Sequence, residues 1–306
     1  MAMSPEPARG TDAVPARRRA ARRGSRRSAS GRRSFTSTLR TLDDLAASGV
    51  QVSIRVDDLD RGTALVSGDD HVALPVSGLG VVPLLVEVAA RFEEGTLDPA
   101  EPAGPRPPAS SGGPGIWRHL NGAHLTLGDA AVLAAAAGDA AAANALLERV
   151  SIAAVRARLE ALGMTRSAVM DGFRDVRGPD DPPNVALGTT AEYAGLFAEL
   201  ADSRAVSPQV SAQVVEWLGL GMDLTLAASA SGVDPFAHDA DAHGLLLFTK
   251  TGRDPGILAE AGVLAGPHAG LAYALTVCFD DLSILHRLRA HEAFRVLGAD
   301  LMEYVF

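Results

Sequence analysis

The sequence predicts an α/β fold of the α+β kind, an antiparallel sheet flanked by terminal helices with an all-helical lobe inserted. Three observations predict it. Two strand-like apolar segments stand near the start and three more near the end, the stretch between them reads as helical, and terminal helices flank the strands. The 306 residues are 47% hydrophobic and 21% charged. That composition supplies a large core and excludes wholesale disorder.

Before the first element lies an Arg-rich tail. Residues 1–40 hold 11 arginines against Glu6 and Asp12, in a chain whose net charge is −9. Their runs are interleaved with Ala, Ser, Gly and Pro, so residues 1–34 read as a disordered tail with weak attraction for anionic surfaces or nucleic acid. Gly31-Arg32-Arg33-Ser34-Phe35 has a twin-arginine look, yet Arg40, Asp43 and Asp44 interrupt the apolar run an export signal needs. The expected location is cytoplasmic, with no membrane span. A single cysteine, Cys278, excludes an internal disulfide.

The elements then follow in order. Phe35 to Ala47 has helical spacing through Leu39, Leu42 and Leu45. Val52, Ile54 and Val56 alternate, and Asp60-Arg61-Gly62 turns into Thr63 to Val66, which makes a β-hairpin. Val81 to Phe92 is a strongly apolar helix, and Pro99 to Gly115, rich in Pro, Gly and Ser, is a loop. Helices are expected over 127–137, 140–150, 152–162, 190–200 and 207–218, with a long polar loop over 171–188. Strands over 244–249, 257–263 and 271–280 precede a last helix over 281–305. The expected division is a sheet lobe at about 35–70 and 220–306, with a helical lobe at about 71–219.

Several stretches carry a resemblance to a known family. They are Gly115-Ile116-Trp117-Arg118-His119-Leu120 with Leu125-Thr126-Leu127, Asn144-Ala145-Leu146-Leu147, Thr189-Thr190, and above all Lys250-Thr251-Gly252 after an apolar strand. Over residues 35–306 the chain resembles the class A β-lactamase branch of the penicillin-recognising serine hydrolases. The resemblance implies a nucleophilic serine with a lysine one helical turn later. Counting back from Pro83 and from Gly95 places the nucleophile at Gly78 and the lysine at Val81; shifted by one, Ser77 meets Gly80. Neither register supplies a lysine. The family's Ser-Asp-Asn falls on Gly138-Asp139-Ala140, keeping only the aspartate, and the 171–188 loop has no glutamate to activate water, with Asp175 as the one candidate substitute.

Lys250 is the single lysine of the chain. By resemblance Lys250, Thr251 and Gly252 imply a site for a carboxylated ligand or peptide, with backbone N–H groups of Gly78 and Arg253 as an oxyanion hole. The other reading makes Lys250 a buried structural cation paired with Asp139. His238-Asp239-Ala240-Asp241-Ala242-His243 packs metal-type ligands into six residues, in a spacing typical of solvated loops, so no metal and no cofactor are expected. Three functions stay open: a non-catalytic binding protein using the old cleft, a weak or altered serine hydrolase using Ser77, and a purely structural or interaction domain.

Overall fold

The computed structural model describes residues 34–105, 107, 113–122, 124–174, 176–236 and 244–306. The Arg-rich tail, Asp175 and the 238–243 cluster therefore lie outside the described residues. A five-stranded antiparallel sheet is built from β1 (Gln51–Asp58), β2 (Thr63–Gly68), β8 (Leu246–Asp254), β9 (Ile257–Ala265) and β10 (Gly270–Cys278), in the order β2-β1-β10-β9-β8. The expected hairpin closes on Asp58, whose carboxylate accepts from the backbone N–H groups of Asp60 and Arg61 and from the Tyr304 hydroxyl. Gly62 supplies the left-handed residue there, at φ +64°.

The two faces of the sheet follow the period-2 rule. Leu258, Leu264, Leu271, Tyr273 and Leu275 pack on one face with α1 (Thr36–Ala47) and the long α8 (Ile284–Val305). The opposite face presents Ala259, Ala261, Ala272 and Ala274 to the helical layer. Small residues there let α6 (Thr190–Ala201) lie close to the strands. Both faces being covered, every residue of β9 is buried.

The helical layer is organised around α2 (Val81–Glu93), in which ten successive residues, Val81 to Ala90, are buried. Apolarity all round marks a helix surrounded by others, here α3 (Leu127–Ala136), α4 (Ala140–Val150), α5 (Ile152–Ala161) and α7 (Pro208–Leu218). Its one buried acid, Glu87, is held by Arg91 at 2.8 Å and by Arg158 of α5 at 2.8 Å. Local chemistry fixes where the helices start. Thr126 and Asp129 form a reciprocal capping box on α3, and Ser207 caps α7 ahead of Pro208.

Two segments read as loops contain short strands. Within 99–115, β4 (Pro102–Pro105) pairs with β5 (His124–Thr126). Pro102 and Pro105 hid it; in a two-stranded ribbon one edge needs no N–H donors. At the end of the 171–188 loop, β7 (Ala186–Gly188) pairs with both β3 (Leu74–Pro75) and β6 (Ala168–Val169). The strand carrying Lys250-Thr251-Gly252 also runs on to Asp254, because β9 pairs with it down to Asp254 opposite Ile257. Among the described residues no helix is long and apolar enough to cross a membrane.

Candidate functional site

The edge strand β8 faces a tight 3-10 turn, Ser77–Gly80, that leads directly into α2. The two backbones approach closely enough to require glycine on both sides. A Cβ on Gly252 would stand 2.0 Å from the Val76 carbonyl oxygen, and one on Gly78 would stand 2.8 Å from the Thr251 carbonyl oxygen. Ser77 sits in the left-handed region at φ 48° and is buried. Its hydroxyl donates to the Arg253 carbonyl at 2.8 Å. The position one helical turn after Gly78 is Val81, an apolar core residue.

Above this floor lies a cavity of about 190 Å³. Ser77, Gly78, Asp139, Lys250, Thr251 and Arg253 all line it, and Gly252 lies beneath, in the floor. Val81, Phe173 and Val185 supply apolar wall, and Arg174, Arg177 and Asp223 supply charge. Sequence reasoning missed these last three. Arg174 and Arg177 carried a weak signal, since they follow Asp171 at three and six residues and both bond its carboxylate, at 2.8 and 2.7 Å.

Lys250 is buried, as the second reading of that lysine has it, but its partner is not Asp139. The ammonium donates to the carbonyls of Ala134 and Ala135, at 2.9 and 2.8 Å, in the last turn of α3. Carbonyls left over at a helix C-terminus attract a cation, so the ion pair is unnecessary. Asp139 is fully used elsewhere. It accepts from the N–H groups of Ile116 and Trp117 at 2.7 and 2.8 Å and caps α4 through Ala142. Gly115, at φ +130°, leaves room for it, since a Cβ there would stand 2.4 Å from the carboxylate.

Burial pulls the Lys250 ammonium down to about 8, with the Asp223 charge opposing. Its folded value thus lies below the ordinary 10.5, so between those pH values the unfolded chain binds more protons and stability rises with pH. Relative to Lys250→Met, the wild type should gain on the order of 3 kcal/mol between pH 7 and 10.5 in urea denaturation. A flat difference between the two proteins would place Lys250 in water.

The cavity wall formed by the 171–188 loop is held from behind. The Asn144 side chain brackets Phe173, donating to its carbonyl at 2.7 Å and accepting from its N–H at 2.8 Å. Among the described residues this loop contributes Phe173, Arg174, Arg177 and Val185 to the cavity and no carboxylate. No group of three or more His, Cys, Asp or Glu among the described residues is placed to hold a metal ion.

Comparison with known proteins agrees with this architecture. A search of the curated proteins found no match. Among solved structures, the β-lactamase of Sphaerobacter thermophilus superposes with a TM-score of 0.76 at 20% identity, over 89% of this chain and 97% of that one. PBP-A superposes at 0.72 with 17% identity, over 88% and 96%. An ancestral class A β-lactamase gives 0.71 at 20% identity, over 87% and 99%. These likenesses concern the fold. The family model of the beta-lactamase enzyme family matches residues 34–305, and the chain belongs to that family.

Proposed function

We propose that this protein is a non-catalytic member of its family that binds a small molecule in the cleft between the sheet and the helical layer. The observation that carries this reading is the floor. The nucleophile position is Gly78, with the Thr251 carbonyl so close that a serine Cβ would meet it at 2.8 Å. The neighbouring Ser77 hydroxyl spends its proton on a backbone carbonyl, an acceptor that is not a general base. Lys250, the one amine side chain at the cleft, is bonded to two carbonyls of α3. A nucleophile needs a base within hydrogen-bond reach, and losing one member of such a unit costs several orders of magnitude in rate. The cavity persists with both apolar and charged walls, which favours ligand binding over a purely structural role.

The test is intact-protein mass spectrometry after incubation with a fluorophosphonate and, separately, with a reactive penicillin. The expected result is an unmodified mass on protein shown to be folded. A stoichiometric adduct that disappears in Ser77→Ala would instead establish a working nucleophile and an altered hydrolase.

A further inference from the structure

The most completely bonded group facing the cavity is a carboxylate. Asp223 lies on the segment between α7 and the 3-10 turn Ala227–Ser231. Its Oδ2 accepts from the Thr251 hydroxyl at 2.8 Å and from Arg253 Nε at 2.7 Å. Its Oδ1 accepts from the Thr225 hydroxyl at 2.6 Å, from the second arm of Arg253 at 3.2 Å and from the Thr225 N–H at 3.3 Å. A guanidinium fork, two hydroxyls and an amide make a complete carboxylate receptor. The receptor opens on the same cavity as Lys250, and a residue of the chain itself fills it. Burial works against the charge on Asp223, but the bonds from Arg253, Thr225 and Thr251, with the guanidinium charge, outweigh it and hold the carboxyl at about 2.

We propose that Asp223 is a tethered carboxylate that occupies the anion receptor of this cleft, so that the cleft admits uncharged small ligands and turns carboxylates away. The occupancy stands on the hydrogen bonds alone; the ligand class rests on the binding function proposed above. A second carboxylate approaching the Thr251 hydroxyl and the Nε–Nη2 edge of Arg253 finds those donors taken and meets a like charge, and rejection by unpaired charge is an effective source of specificity. An uncharged amide or ketone avoids that repulsion. It can accept from the ammonium of Lys250, which has three donors and uses two on α3. The volume suits a ligand of one ring, since a cavity of roughly 150 Å³ holds benzene.

Chemical rescue tests the occupancy, and a matched pair of probes tests the ligand class. Asp223→Ala should lose stability and regain most of it in sodium acetate compared with sodium chloride at equal ionic strength, while the wild type responds equally to both salts. Asp223→Asn, whose amide keeps the volume filled, should not be rescued, and Asp223→Ser replaces the alanine variant should that one fail to fold. In NMR titrations, benzoate should bind Asp223→Ala at least about tenfold more tightly than wild type, with benzamide far less affected. Acetate acting alike on wild type and variant would overturn the tethered carboxylate. Benzoate binding the wild type as well as it binds the variant would overturn the exclusion. Acetate rescue with no binding of either aromatic probe would keep the tethered carboxylate and remove the ligand-binding function.

Discussion

Replacing Gly252 by alanine should cost about 3 kcal/mol or more, a loss read directly from a urea or guanidinium midpoint. The Cβ would sit 2.0 Å from the Val76 carbonyl oxygen and 3.2 Å from the Gly78 nitrogen. Both neighbours are backbone, so no side chain can swing aside. Val76 is tied by its N–H to the Ala186 carbonyl, and β8 is tied along its length to β9. The strand and the turn must therefore separate, taking the Ser77–Arg253 bond with them. Gly195 is the matched control. It lies in α6, where an added Cβ would meet nothing within 4 Å, and alanine there should be neutral or stabilise by up to about 1 kcal/mol. A Gly252→Ala variant within about 1 kcal/mol of wild type would show that the floor is not tightly closed.

A comparable loss is expected at Glu260, which stands opposite Thr251 in the ladder of β8 with β9. This fully buried acid of β9 accepts from the N–H groups of Ala227 and Ala228 at 2.7 and 3.1 Å, from the Thr249 hydroxyl at 3.1 Å and from Tyr273 at 2.6 Å. Burial raises its pKa above the ordinary carboxyl value, while those same four contacts pull it back. Glu260→Ala leaves two backbone N–H groups and the Tyr273 hydroxyl without their partner, at about 1–3 kcal/mol each before relaxation. The 3-10 turn Ala227–Ser231 should loosen first. It packs against α8, where a Cβ on Gly298 would meet the Ala227 carbonyl oxygen at 2.0 Å. Hydrogen exchange localised to this turn and to α8 would accompany the drop in stability; an unchanged midpoint would mean that water replaces the carboxylate.

Periodicity and caps made the frame legible. The alternation of Val52, Ile54 and Val56, the apolar run of α2 and the Thr126–Asp129 box each act within a few residues, and each appears where local chemistry puts it. The cleft was legible where a motif marked it, since Gly78, Asp139 and Lys250 meet there. The partners of those residues were not. Lys250 finds its acceptors 115 and 116 residues away, on backbone atoms that every residue type possesses. Asp223 stands two residues before Thr225 in a stretch that carries no motif, and only the fold brings Arg253 across to it. β4 was missed because its prolines argue against a strand everywhere except on a short edge.

Ser77, the candidate nucleophile of the sequence, is also a fastener. Its hydroxyl joins the base of the helical layer to the sheet through Arg253, beside the glycine contact of Gly252 with Val76. The opposite wall is held differently, by the Asn144 amide and by the ion pairs of Asp171 with Arg174 and Arg177. The cleft is therefore a pouch sewn at its base. Of the two pairs on the opposite wall, Arg174 with Asp171 is partly exposed and weakens as salt increases, while Arg177 with Asp171 is largely buried and is screened less. Rising salt therefore works on the outer stitch of that wall before it reaches the seam at its base.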